Sequence, residues 1–134
     1  RRDQPGWLSY MSGLAGSQMT INFSLASSGE HEQLKWRVIE ATLAGTLLLT
    51  DDTSRTSEFF VRGEEFDHFS GPTDLAAVVT SWLERPDALA QAQRLAQRRA
   101  ADLAQNEFWV RLARTLGARG LPALPPVLGQ APEA

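Results

Sequence analysis

The sequence predicts an α/β fold, a Rossmann-like and mostly parallel sheet with helices on its faces. Two observations carry this. Short apolar or alternating runs of strand length (19–25, 47–50 and 65–69) are separated by segments with helical periodicity. The middle run, Leu47-Leu48-Leu49-Thr50, is continuously apolar rather than alternating, as expected of a strand covered on both faces. Strands that alternate with helices form right-handed βαβ units, and these make the sheet parallel.

Each element follows from its own pattern. Trp7, Tyr10, Met11 and Leu14 recur at i, i+3, i+4 and i+7, which predicts a helix over 7–16. Met19, Ile21, Phe23 and Leu25 alternate with polar neighbours as a strand. The Ser- and Gly-bearing stretch 26–32 reads as a loop, and a helix follows over 33–44 with Gly45 as its stop. Ser54 to Phe60 suits one or two helical turns. Pro72-Thr73-Asp74 starts a helix whose stripe is Leu75, Val78, Val79, Trp82 and Leu83, ending at Arg85-Pro86. An Ala/Gln/Arg-rich helical region occupies 87–118, with a break expected near Asn106. Residues 120–134 contain Pro122, Pro125, Pro126 and Pro132 and read as an extended tail. The division expected is thus one domain over 1–119 and a tail over 120–134. Three strands are few for a doubly wound sheet, so the chain reads as the later half of one.

Composition narrows the function classes. The chain has 134 residues, 43% of them hydrophobic and 22% charged, enough for one core and too few for two comfortable domains. A net charge of −3 argues against a nucleic-acid binder, which needs a basic excess over the phosphates. The absence of cysteine removes disulfides, thiolate metal sites and a Cys nucleophile, and it fits a reducing, cytoplasmic setting. No apolar run approaches the roughly 18 residues that span a bilayer. Half a doubly wound sheet would leave a strand edge and apolar surface open, so a homodimer, a swapped element or a missing upstream segment is expected.

The stretch from Ser28 to Asp52 is the most informative. Glu32 and Glu40 are separated by seven residues, one in the loop after a strand and the other inside the following helix. In open α/β sheets that junction is where ligands bind, and a carboxylate there can accept hydrogen bonds from sugar or ribose hydroxyls. The alternative is a pair of solvated glutamates. His31, between Glu30 and Glu32, matches no metal-ligand spacing and reads as a solvated loop residue. Asp51-Asp52 suits capping of the next turn better than cation binding. Trp36 and Trp82 are expected to pack in the core or at an interface.

The same stretch resembles the donor-binding segment of retaining glycosyltransferases with the two-domain GT-B fold. The resemblance rests on Glu32 and Glu40 as an E-x7-E pair, on Glu40-Ala41-Thr42-Leu43-Ala44-Gly45-Thr46 and the apolar strand after it, and on Glu58 past the turn. It continues through residues 63–87 and covers roughly 8–105. Lys35 and Arg37 before the second glutamate are similar to the spore-maturation-like subgroup. The sequence departs from the family where a glycine-rich loop would hold Gln33, Leu34 and Lys35, and where Leu47 replaces a proline.

The resemblance implies the carboxyl-terminal, donor-binding part of a bacterial-type GT-B enzyme. Such an enzyme transfers a sugar from a nucleoside diphosphate sugar to a glycan, lipid or protein acceptor. By that analogy Glu32 is the catalytic-site residue beside the transferred sugar, Glu40 holds the donor ribose, and Lys35 and Arg37 face the diphosphate. No metal and no cofactor beyond the donor is implied. Acceptor residues would come from an N-terminal domain, so this piece alone is expected to be inactive. Two other readings remain: a non-catalytic glycosyltransferase-like scaffold module, and a flavodoxin- or receiver-like signalling domain, against which the order of acidic residues speaks.

Overall fold

A computed structural model describes residues 6–25, 29–52 and 54–104. The chain divides into two compact units, 1–101 and 102–134. The first contains helix α1 (Trp7–Ala15), strand β1 (Met19–Asn22), α2 (Trp36–Leu43), β2 (Leu47–Thr50), a 3-10 turn (Thr56–Glu58), β3 (Phe66–His68), α3 (Pro72–Leu83) and α4, which runs Pro86–Asp102. Of the second, residues 102–104 are described and are helical. The expected continuation of the helix to 118, its break near Asn106 and the tail over 120–134 lie outside the described residues.

The three strands form one parallel sheet in the order β1-β2-β3. Met19, Ile21 and Asn22 lie opposite Leu47, Leu49 and Thr50, while Leu48 and Thr50 lie opposite Phe66 and His68. This is the predicted α/β, Rossmann-like architecture. One face of the sheet is covered by α3 and α4. Leu47, Leu49, Phe69, Trp82, Leu89 and Ala92 form its buried core, and Met19, Ile21, Leu75, Val78 and Val79 pack against them. The other face receives α2, which packs on β1 and β2 and buries Val38, Ala41 and Thr42. Leu47, Leu48 and Leu49 are fully buried. Alternation could not have accommodated both covers, so β2 is apolar throughout.

Several expectations are corrected. The helix predicted over 33–44 starts at Trp36, because Gln33 N–H still donates to Ser24 C=O at 2.8 Å and Lys35 remains extended. The strand predicted over 19–25 stops at Asn22, and beyond it the alternation inverts. Asn22 and Ser24 are buried, whereas Phe23 and Leu25 are exposed. Trp36 is not core, being 72% exposed. Leu83 is exposed too, because Trp82 takes the inward place at the end of α3. There its indole N–H donates to Asp67 Oδ2 at 2.9 Å, and Arg85 lies 4.7 Å over its ring.

At the end of α2 the backbone itself calls for glycine. Thr46 N–H donates to Ala41 C=O and Gly45 N–H to Thr42 C=O, the paired bonds of a Schellman motif, with Gly45 at φ +78°. A Cβ at Gly45 would meet Gln97 Nε2 at 3.5 Å, an ordinary contact. Gly45→Ala therefore suffers from its backbone angle rather than a clash. We expect a loss of about 1–2 kcal/mol in a urea titration, with an unchanged slope.

Candidate functional site

Parallel strands joined through helices bring their carboxyl ends, and the amino ends of the helices between them, to one edge of the sheet. Asn22, Thr50 and His68 end the strands there, and α2 begins there. This edge contains a buried polar network. Asn22 Nδ2 donates to Thr50 Oγ1 at 3.1 Å, and the Thr50 hydroxyl donates to Asp52 Oδ2 at 3.1 Å. Asp52 Oδ1 accepts the Thr56 N–H at 3.1 Å, and its Oδ2 also accepts the Thr56 hydroxyl. Asp52 thus caps the 3-10 turn, the role its sequence context predicts. Asp51 Oδ1 accepts the Ser24 N–H at 2.7 Å and ties the segment after β1 to the end of β2. No buried side-chain polar atom among the described residues lacks a partner.

A cavity of about 180 Å³ adjoins this network, lined by Asp52, Ser57, Arg62, Phe66 and His68. Arg62 is paired at 3.6 Å with Asp67, the same carboxylate that receives Trp82. None of Glu32, Lys35, Arg37 and Glu40 lines this cavity. Among the described residues no group of three or more His, Asp or Glu side chains is placed to hold a metal ion. His31 is exposed. Glu58 is exposed as well and meets Arg55 at 3.7 Å, a surface pair that contributes little to stability.

Arg37 and Glu40 come together at the contact between α2 and α1. Glu40 lies one turn into α2, and its Oε2 accepts the Tyr10 hydroxyl at 2.8 Å. Partial burial pushes the Tyr10 phenol above its ordinary pKa, the hydrogen bond and charge of Glu40 add to this, and the Arg37 guanidinium beside it opposes. Tyr10 therefore stays protonated at neutral pH and remains a donor to Glu40. Lys35 immediately precedes α2, half-buried. Glu32 sits earlier, where its backbone forms an isolated antiparallel bridge with Leu25. The two ends of the Glu32–Glu40 spacing are thus held by different devices: a backbone bridge for the first and a phenol for the second.

Tyr10 is the member of this cluster that the sequence alone does not single out, since its spacing reads only as part of an apolar stripe. It is the sole tyrosine of the chain. A partly buried phenol needs a hydrogen-bond partner, and that was the available signal. Asn22, Thr50 and Thr56 were likewise not singled out.

Among the described residues no helix is long and apolar enough to cross a membrane. Comparison with curated proteins and with solved structures gives no match. A family model described as glycosyl transferase-like matches residues 5–116, which takes in every element from α1 to α4. With a parallel sheet, a polar crevice edge and a match over most of its length, the chain belongs to the glycosyltransferase-like family.

Proposed function

We propose that the chain is the donor-binding portion of a GT-B glycosyltransferase that uses a nucleoside diphosphate sugar. The observation that carries this reading is the Tyr10–Glu40 hydrogen bond with Arg37 beside it. Tyr10 engages Oε2 of Glu40, and the carboxylate has further lone pairs for the two hydroxyls of a ribose. The α2 helix starts without a side-chain cap and without an acid in its first turn. The amino end of its dipole favours a diphosphate, and Lys35 and Arg37 add positive charge. When the glycosidic bond breaks, negative charge develops on the leaving diphosphate, and fixed positive groups lower the barrier there. Glu32, on the loop entering α2, is assigned to the face of the transferred sugar. The acceptor is a glycan, lipid or protein bound across a cleft formed with further residues of the enzyme.

Calorimetric titration of uridine, guanosine and adenosine diphosphates against the full chain and its Glu40→Gln variant tests this. Exchanging a charged acceptor for a neutral one lowers each such bond from roughly 1.5–3 to roughly 0.5–1.5 kcal/mol, so over the two ribose hydroxyls the preferred nucleotide should bind about 30- to 150-fold more weakly. Glutamine still offers an oxygen to Tyr10, and the thermal midpoint should hardly move. Equal affinities for both proteins would reduce Glu40 to a tie between α1 and α2.

A further inference from the structure

The two edges of the sheet are finished differently. Leu47 N–H donates to Gln18 C=O, and Phe69 N–H donates to Thr50 C=O. In a parallel ladder alternate residues address one neighbour, so these bonds and the register fix the rest. Gln18, Thr20 and Asn22 turn their main-chain groups to β2 from one side, and Asp67 and Phe69 do so from the other. Met19 and Ile21 therefore face outward from β1, and Phe66 and His68 face outward from β3. On β3 the outward groups are taken. Phe66 C=O accepts the Gly63 N–H at 2.7 Å, Arg62 bridges Phe66, and Asp67 Oδ1 accepts the His68 N–H at 2.8 Å. On β1, among the described residues, no bond reaches the outward groups of Met19 or Ile21. Charge does not guard that edge either, since no Asp, Glu, Lys or Arg occurs between Asp3 and Glu30. Exposed edges are ordinarily blunted by charge, proline or a bulge, and a neutral, regular one is a template for another strand.

We infer that a second copy of this chain occupies the β1 edge, β1 against β1, about a two-fold axis between the two Thr20 residues. With the axis perpendicular to the sheet the pair is antiparallel and self-complementary. Met19 then stands opposite Ile21 of the second copy. Both have outward main-chain groups, so they exchange both N–H···O=C bonds, and symmetry repeats this on the other side of the axis. Residues directly opposite share a face of the sheet. Met19 and Ile21 lie at the margin of the core under α3 and α4 and are only partly buried, so each covers the other across the axis. Thr20 meets its own copy on the opposite face, a favourable cross-strand pair. An axis midway between two residues would set outward groups against inward ones and make none of these bonds. Charge favours the same place: a net −3 opposes self-association through charged surfaces, whereas this segment is neutral. Two short strands bury less than the roughly 1,200 Å² of a standard interface, so a dissociation constant on the order of micromolar is expected.

Sedimentation of the full chain over a concentration series, with hydrogen exchange followed by NMR, tests this on the unaltered protein. Dimer should form as concentration rises, and the Met19 and Ile21 amides should become protected in step with it. The Thr20 amide, bonded to β2, should be protected throughout. Thr20→Lys sets two like charges opposite each other and should weaken the dimer roughly 2- to 30-fold, as should Thr20→Glu. An equimolar mixture of these two variants should recover association, because lysine then faces glutamate. Far-UV dichroism checks that both variants fold, and where either does not, the exchange measurement on the unaltered chain decides alone.

A chain that stays monomeric at its highest soluble concentration overturns the inference. So does a dimer in which Met19 and Ile21 exchange as fast as in the monomer, since the interface would then lie elsewhere. Protection of these amides that is independent of concentration also overturns it, because the chain would then cover its own edge. Failure of the mixed variants to recover association overturns the pairing about Thr20.

Discussion

Asp52→Ala should destabilise the protein by roughly 3–5 kcal/mol, a large share of the 5–15 kcal/mol that holds a typical domain together. Asp52 is buried and accepts the Thr50 hydroxyl, the Thr56 hydroxyl and the Thr56 N–H. Alanine leaves those donors in the interior without their acceptor, and Thr50 also anchors Asn22 on the neighbouring strand. An unsatisfied buried polar group costs about 1–3 kcal/mol, and the effect is compounded because the partners share one network. The adjoining cavity lets water reach the gap, which holds the loss toward the lower end. Asp52→Asn keeps the shape and one acceptor oxygen and should lose about half as much. Urea unfolding followed by far-UV dichroism measures both. A loss below about 1 kcal/mol for alanine would show that the network is solvated and contributes little.

Leu49→Ala should cost about 2–5 kcal/mol by the same measurement. Leu49 is fully buried at the centre of β2, opposite Ile21 and Asp67, and belongs to the core formed with Trp82, Leu89 and Ala92. Packing from the sheet on one side and from α3 and α4 on the other leaves little room for collapse, which favours the upper half of the range. A change in the urea slope as well as in the midpoint would mean that the variant no longer unfolds in one step. The contrast between these variants and Glu40→Gln is informative. The first two should change stability and the third should change binding, because Glu40 lies on a helix surface and Asp52 and Leu49 lie inside.

The sequence by itself determined the architecture. An apolar run between two helical periodicities leaves one economical arrangement, a central strand covered on both faces, and β2 occupies that place with α2 on one side and α3 and α4 on the other. It determined the stop of α2, because a glycine after a helical stripe supplies the positive φ that a Schellman motif needs. It also determined the capping role of Asp52, since an acid shortly before a turn meets unpaired N–H groups. These features depend on neighbours along the chain, and local physics suffices for them.

Only the tertiary structure decided which side chains meet across distance. Tyr10 and Glu40 are thirty residues apart and Asn22 and Thr50 twenty-eight, and nothing in either local pattern names the partner. The same holds for exposure. Phe23 and Trp36 look like core residues in a periodic pattern, yet whether a ring is buried depends on what the rest of the fold lays over it. At β1 the pattern misled for a definite reason: both faces of a parallel sheet are covered, and near the crevice one cover is polar. Asn22 and Ser24 are buried there because Thr50 and Asp51, on the next strand and just past its end, supply the hydrogen bonds that make their burial affordable.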